Sequence, residues 1–184
     1  MAGIYIHIPF CRKACHYCNF HFATSLRQKP ELLQAMEKEL IGRSPEWQSD
    51  RIHTIYFGGG TPSLLDISEL NSLLDTIKQH YSLGPNPEIT LEANPGTFEK
   101  DRFRAFRAAG VTRLSVGVQS FNDTHLQAVG RVHDRAQAIA ACEEAADAFE
   151  TFNLDLIYGG GGETFDDWCR TLDDAIALNP PHVS

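Results

Sequence analysis

The chain has 184 residues, with 16 lysines and arginines against 24 aspartates and glutamates, and a formal net charge of −8. An apolar content of 42% with 22% charged residues is ordinary for a globular protein and excludes a disordered or fibrous chain. The acidic balance argues against nucleic acid or anionic lipid as the main partner, and the length predicts one domain with a sizeable core.

Neither an export signal nor a membrane anchor is visible in the sequence. The N-terminus lacks a basic region followed by an apolar stretch, and no uncharged apolar run approaches the roughly 18 residues of a membrane helix. We therefore predict a cytoplasmic protein. Three of the five cysteines lie close together, and in a chain without an export signal this clustering favours metal ligation over disulfides.

Strands and helices alternate along the chain. β-Branched and aromatic runs predict the strands, helical spacing of apolar residues predicts the helices, and Asp66 and Gly110 are typical helix caps. In chain order, the predicted elements are a strand over 3–8, a helix over 30–43, a strand over 52–57, a helix over 66–81, a strand over 88–92, a helix over 98–109, a strand over 111–118, a helix over 135–149, a strand over 152–158, a helix over 164–178 and a final strand over 182–184.

This alternation predicts an α/β fold with right-handed βαβ units and a parallel sheet. The preferred arrangement is a partial (β/α)6 barrel, truncated near its sixth strand; a doubly wound sheet with mixed strand order is the alternative. Because the chain stops as a strand begins, we expect a fragment in which the fifth strand lacks its partner. Such an open edge would favour self-association.

The sharpest motif is Cys11-Arg-Lys-Ala-Cys15-His-Tyr-Cys18, in the loop after the first strand. A short loop can wrap three thiolates around one metal centre, and three cysteines are one short of the usual complement for an iron–sulfur cluster, which leaves one iron open to another ligand. A Cys₃His zinc site is the rival interpretation, with its fourth ligand drawn from His7, His16 or His21.

Further polar and glycine features follow the later strands. In parallel βα units the carboxyl ends of all strands point to one face, where barrel enzymes keep their sites. A glycine run, Gly58 to Gly60, follows the second strand and lets a ligand approach the backbone closely. The polar residues expected at the same mouth are Glu92, Gln119 and Asp155, with Arg131 as a cation for a ligand carboxylate.

Together these motifs resemble the radical S-adenosylmethionine (SAM) superfamily. The matching segments read Y-I-H-I-P-F-C-x₃-C-x-Y-C, G-G-G-T-P-S, E-A-N-P, V-G-V-Q-S-F, G-R-x-H and D-L-I-Y-G. The resemblance implies a [4Fe–4S] cluster on Cys11, Cys15 and Cys18, with SAM on the fourth iron and a 5′-deoxyadenosyl radical as the cofactor's product. The implied SAM-contacting residues are Tyr5, Tyr17, Gly59, Gly60, Thr61, Glu92, Gln119, Arg131 and Asp155.

Within the superfamily the motifs look most like the haem chaperone branch (HemW type), close kin of the oxygen-independent coproporphyrinogen III dehydrogenases. The dehydrogenases carry a further cysteine where this chain has Phe20, which favours the chaperone branch. The resemblance then implies haem as cargo, a haem-accepting respiratory protein, an electron donor and an encounter with the membrane periphery. A dehydrogenase and a zinc-stabilised binding domain are the alternatives.

Two departures from the family bear on these expectations. The family is about twice this long, so residues 1–184 are expected to form an incomplete radical SAM core without the C-terminal haem-associated domain, and haem binding is expected to be weak and nonspecific. The family also has a Leu-Pro-Gly pattern after the fifth strand, where this chain carries four glycines from Gly159 to Gly162. Those glycines raise the entropy lost on ordering the loop.

Overall fold

A computed structural model describes residues 2–97, 101–160 and 162–184. The strands are β1 (Ala2–Ile8), β2 (Ile52–Gly59), β3 (Leu83–Ala93), β4 (Arg113–Gln119), β5 (Thr151–Leu156) and β6 (His182–Val183). The α-helices are α1 (Lys29–Arg43), α2 (Ile67–His80), α3 (Arg102–Ala109), α4 (Asp123–Ala128), α5 (Arg135–Ala148) and α6 (Phe165–Ala177). Short 3₁₀ turns lie at Ser44–Trp47, Pro62–Leu64 and Pro95–Thr97.

The strands form one parallel sheet in sequential order, β1-β2-β3-β4-β5-β6. Sequential neighbours confirm the predicted partial barrel, because a doubly wound sheet reverses its strand order near the first strand. In the part of the chain that the structure describes, β1 and β6 are the two ends of the sheet and do not pair with each other. The barrel is therefore open on one side.

The predicted exposure of the fifth strand is wrong. His182 pairs with Asn153 and Val183 with Leu154, and the Ser184 N–H donates to the Leu154 carbonyl over 2.8 Å. Three residues are enough to cover β5, because each residue of a parallel ladder brings its own backbone donor and acceptor. At this end of the sheet the unpaired strand is therefore the exposed β6 and not β5. Self-association through this edge stays a prediction.

Capping residues mark the start of α2 and the end of α3, as predicted. Asp66 and Glu69 form the predicted capping box of α2, and Gly110 ends α3 with φ of 111°, a left-handed conformation that favours glycine. The predicted start of the third helix at 98 lies outside the described residues, as does Gly161 of the glycine run. Helix α4 was not predicted from the sequence; it has six residues, and the Asn122 side chain caps its N-terminus.

The core lies between the sheet and the helices that cover its outer face. Leucines and an isoleucine of α2 are buried there, whereas α5 presents mainly alanines, which lets its backbone lie close to the strands. The other face of the sheet lines the barrel interior and carries polar side chains toward the strand ends. None of the helices within the described residues is long and apolar enough to cross a membrane.

Candidate functional site

A cavity of 220 Å³ lies at the carboxyl ends of the strands, under the cysteine loop. It is the place where the βα units of a barrel converge, as predicted. Its wall contains every predicted site residue except Tyr5: Cys11, Cys15, Tyr17, Cys18, Gly59, Gly60, Thr61, Glu92, Gln119, Arg131 and Asp155. The structure therefore brings into one wall residues that are spread over most of the chain.

The cysteine loop is held in place by backbone hydrogen bonds at both ends. The Cys11 N–H donates to the Ala23 carbonyl over 3.0 Å, and the His16 N–H donates to the Val129 carbonyl just after α4, also over 3.0 Å. All three loop cysteines are free thiols and half-buried. Burial, together with the neighbouring Cys18 and Cys15, raises the pKa of Cys11, so this thiol binds a proton until a cation compensates the thiolate.

The donor set of this loop fits a cluster. Within residues 2–97, 101–160 and 162–184, no three His, Cys, Asp or Glu side chains converge on a point that would enclose a single metal ion. A [4Fe–4S] cluster does not require such convergence, because each thiolate binds a different iron at a different corner. The three histidines of the zinc interpretation lie in or beside this loop. The ring nitrogens of His7 and His16 contact the carbonyl oxygens of His21 and Ala128 over 3.0 and 2.9 Å.

The glycine run after β2 packs directly on the start of the cysteine loop. The Gly60 N–H donates to the Ile8 carbonyl over 2.9 Å, and the Thr61 N–H donates to the Phe10 carbonyl over 2.8 Å. A Cβ at Gly60 would lie 2.8 Å from the backbone of Ile8 and Phe10, so a larger residue does not fit. Glycine at this position therefore lets the backbone after β2 pack tightly against the start of the cysteine loop.

Glu92, near the end of β3, has both carboxylate oxygens engaged. Its Oε1 accepts from the Tyr56 hydroxyl over 2.8 Å, and its Oε2 accepts from the Gly59 N–H over 3.0 Å. Burial raises the pKa of Glu92, while these two hydrogen bonds act in the opposite direction. A half-buried carboxylate held in this way can pair with a cationic group in the cavity.

Asp155 on β5 forms a second polar group in the cavity wall. Its Oδ2 accepts from the Ser115 hydroxyl over 2.9 Å, and its Oδ1 accepts from the Asn153 side-chain amide over 2.6 Å. Burial is the main cause of its raised pKa. Gln119, at the end of β4, has a positive φ of 71°, which is uncommon for a residue with a side chain and marks a sharp turn of the backbone into the cavity.

Arg131 joins the cysteine loop to the end of β4. Its Nη2 donates to the Gly117 carbonyl over 2.5 Å, and its Nη1 lies 3.2 Å from the Tyr17 hydroxyl and 3.6 Å from the Cys15 sulfur. Its Nε is buried and has no hydrogen-bond partner among the residues that the structure describes. A buried, unsatisfied N–H on a guanidinium is costly, so it indicates a place for an acceptor brought by a ligand.

Tyr5 lies beside the cavity and does not line its wall. Its ring stacks on that of Tyr56, with centroids 5.9 Å apart and an angle of 24° between the planes, and its hydroxyl contacts His7 Nδ1 over 3.1 Å. Tyr17 is in the wall, and burial raises its pKa to about 12, so its hydroxyl is protonated and can donate. Tyr17 therefore contributes to the wall from the cysteine loop, whereas Tyr5 lies on β1 next to Tyr56.

Three further side chains, which the sequence did not predict, orient the carboxylates of Glu92 and Asp155. They are Tyr56, Ser115 and Asn153. These side chains carry no motif of their own, and they lie within apolar strands. The strand register brings them together, since Glu92 is paired with Ser115, and Ser115 with Asn153. The alternation of apolar and polar residues along β2 and β4 would show which face of the sheet each side chain occupies. It would not show which carboxylate the side chain contacts.

The residues present fit an iron–sulfur cluster with an adjacent zwitterionic ligand. Free thiols supply the iron ligands, the Arg131 Nε is an unused cationic donor, Glu92 and Asp155 are half-buried acceptors, and Gly59 and Gly60 line the cavity wall beside them. SAM carries an ammonium, a carboxylate, a sulfonium and ribose hydroxyls, and each has a complementary group in this wall.

Comparison with known proteins identifies the family. The radical SAM superfamily matches residues 5–175, and the chain belongs to that superfamily. Its curated relatives include the haem chaperones HemW of Haemophilus influenzae, 42% identical over 189 residues, and of Escherichia coli, 40% identical over 185 residues. Each alignment covers 99% of this chain and 49% of the relative, so the chain spans about half the length of these proteins.

A solved structure supports the same assignment. Coproporphyrinogen III oxidase HemN from Escherichia coli, described as a radical SAM enzyme, superposes with a TM-score of 0.92 at 32% identity. The superposition covers 99% of this chain and 43% of HemN. The superfamily implies a [4Fe–4S] cluster and SAM as cofactors, in agreement with the donor set of the cavity.

Proposed function

We propose that this chain binds a [4Fe–4S] cluster through Cys11, Cys15 and Cys18 and holds SAM in the adjoining cavity. The observation that carries the proposal is the cavity wall itself, which unites the three thiols, two glycines of the run after β2, two half-buried carboxylates and a guanidinium with an unpartnered N–H. When bound, the cluster supplies an electron for cleavage of the sulfonium of SAM.

We propose that the charge of each side chain in the cavity wall determines which group of SAM it binds. Arg131 binds the carboxylate of SAM through its free Nε, because a guanidinium and a carboxylate form a strong charge-assisted pair. Glu92 accepts from the ammonium group, and Asp155 accepts from hydroxyl groups of the ribose. The remaining proposed SAM contacts are Tyr5, Tyr17, Gly59, Gly60, Thr61 and Gln119.

We further propose that the cofactor site serves a haem-handling protein of the chaperone type, which binds haem and passes it to a respiratory acceptor in the cytoplasm, at the membrane periphery. Support comes from the relatives, which are named heme chaperones. Phe20, which is 68% exposed beside the cavity, offers an apolar surface near the thiols and lacks the thiol that the dehydrogenase branch would place there. The acceptor and an electron donor are the expected protein partners.

A second candidate function is oxidative decarboxylation of coproporphyrinogen III. The observation in its favour is the superposition on coproporphyrinogen III oxidase over nearly the whole chain. The two candidates share the cluster and SAM and differ in what becomes of the tetrapyrrole. Anaerobic incubation with coproporphyrinogen, SAM and a reductant tests the second candidate: formation of the decarboxylated product would support the dehydrogenase over the chaperone.

Anaerobic reconstitution with iron and sulfide tests the cofactor proposal. We expect a brown protein with roughly four irons per chain. The Cys11→Ser variant should lose most of this iron, whereas Cys169→Ser, which alters a half-buried cysteine of α6 outside the cavity wall, should keep it. A colourless protein that holds one zinc per chain would contradict both SAM-dependent functions and support the zinc-stabilised domain.

A further inference from the structure

Tyr56 forms a direct hydrogen bond with Glu92, one of the residues proposed to contact SAM. It lies on β2, its ring stacks on Tyr5, and its hydroxyl donates to Glu92 Oε1 over 2.8 Å. The other carboxylate oxygen of Glu92 accepts from the Gly59 backbone N–H over 3.0 Å. The carboxylate is thus fixed from two sides, by one backbone donor that mutation cannot remove and one side-chain donor that it can.

The environment of Glu92 opposes its ionisation. Burial is the largest cause of its raised pKa, and the negative charge of Asp155 across the barrel acts in the same direction. From β1, His7 lowers the pKa of Glu92, while the Tyr5 hydroxyl lies close enough for Glu92 to raise the pKa of Tyr5. The Tyr56 hydrogen bond is the largest influence that favours the carboxylate form.

Tyr56 is suited to remain a hydrogen-bond donor. Burial and the adjacent Glu92 raise the pKa of its phenol, so the hydroxyl keeps its proton at neutral pH and has to donate to an acceptor. Ser115 on the opposite strand also approaches this hydroxyl and lowers its pKa. Stacking on Tyr5 restricts the ring, which in turn restricts the direction of the O–H bond.

We propose that Tyr56 is a positioning residue for SAM: its hydroxyl holds the Glu92 carboxylate in the orientation that receives the ammonium group. This inference rests on the proposed function, since it assumes that SAM occupies the cavity. Tyr56 acts through Glu92 and does not itself contact the reacting atoms. Its loss should therefore weaken SAM binding and change its pH dependence, without removing iron.

The test compares Tyr56→Phe with Tyr81→Phe in anaerobically reconstituted protein. The Tyr81 hydroxyl donates to the Leu40 carbonyl over 2.8 Å, and neither residue lines the cofactor cavity, so its removal is a matched control for the loss of one tyrosine hydroxyl. Isothermal titration with SAM from pH 5 to pH 8 should give about tenfold weaker binding for Tyr56→Phe at pH 7, the usual effect of one hydrogen bond to a charged group. Tyr81→Phe should bind SAM like the wild type.

The pH dependence separates positioning from simple packing. Removal of the Tyr56 donor raises the pKa of Glu92, so the loss of SAM affinity on acidification should begin at a higher pH in Tyr56→Phe than in the wild type. In a Glu92→Gln background, where there is no carboxylate to hold ionised, the Tyr56→Phe change should weaken SAM binding less than twofold. That comparison remains informative if Tyr56→Phe lowers the thermal stability.

Two outcomes would overturn the inference: Tyr56→Phe and Tyr81→Phe with equal SAM affinities and the same pH dependence, or an equal effect of Tyr56→Phe with and without Glu92. A wild-type protein that takes up the cluster but binds no SAM would contradict the proposed function, and with it the assumption on which the inference rests. The measurements therefore distinguish the two failures.

Discussion

Replacement of Arg131 by alanine should weaken SAM binding while leaving the iron content unchanged. The Nη2 of Arg131 donates to the Gly117 carbonyl and its Nη1 contacts the cysteine loop, whereas its buried Nε has no partner within residues 2–97, 101–160 and 162–184. The free N–H is therefore the donor that a ligand carboxylate can use. The contact to the Cys15 sulfur, at 3.6 Å, is long, and the iron–thiolate bonds should hold the cluster without it.

The expected magnitude follows from the type of bond. A hydrogen bond to a charged group contributes about 1.5–3 kcal/mol, which corresponds to about 10- to 150-fold in affinity. Arg131→Lys keeps the positive charge but loses the fork that contacts Gly117 and the cysteine loop together, so its affinity should fall between those of the wild type and Arg131→Ala.

Equilibrium dialysis with SAM, together with iron and sulfide analysis of the same samples, measures both quantities. Arg135→Ala is the control, because Arg135 forms an exposed ion pair with Asp174 over 2.6 Å and does not line the cofactor cavity. The reasoning would be refuted if Arg131→Ala stripped the iron, or if its SAM affinity stayed within twofold of the control.

Three further predictions concern the cluster ligands, the packing of Gly60 and the pH dependence of stability. Cys11→Ser should bind less than half of the wild-type iron, and Cys169→Ser the full amount, by colorimetric iron assay. Gly60→Ala should lower the free energy of unfolding by about 1–3 kcal/mol, because its Cβ would lie 2.8 Å from backbone atoms, whereas Gly42→Ala in the open space on α1 should raise it by about 0.5–1 kcal/mol in urea denaturation. Burial lowers the pKa of His133 from 6.5 to about 4, so the unfolded chain binds a proton that the folded chain does not. The free energy of unfolding should therefore fall as the pH decreases between those two values, and the slope should be smaller in His133→Gln. Equal slopes, equal iron contents or a stabilised Gly60→Ala would contradict the respective prediction.

The order of strands and helices could be predicted because each element leaves its own periodic pattern. Apolar runs bounded by glycine or proline mark the strands, and the capping pair Asp66 and Glu69 marks the start of α2. Helix α4 could not be predicted in this way, since its six residues are too few to show a helical period and it depends on the Asn122 cap. A strand over 182–184 was predicted, but its pairing with β5 was not, because the sequence of so short a segment does not show which strand it joins.

The candidate site could be predicted to the extent that its residues belong to motifs at strand ends. The cysteine spacing, the glycine run and the polar residues that end the strands all indicated one mouth, and the cavity wall has that composition. Tyr56 and Ser115 could not be assigned, since their roles depend on which residue lies opposite them in the next strand. That register is fixed by packing of the whole sheet and is not contained in the pattern of any one strand.

Electron paramagnetic resonance of the reduced, reconstituted protein tests the central claim most directly, since it observes the cluster and its response to SAM in one sample. We predict a [4Fe–4S] signal whose g values change when SAM is added, and a signal lost in Cys11→Ser. A spectrum that is identical with and without SAM, or a reconstituted protein without any cluster signal, would contradict the assignment of this cavity as a joint site for the cluster and SAM.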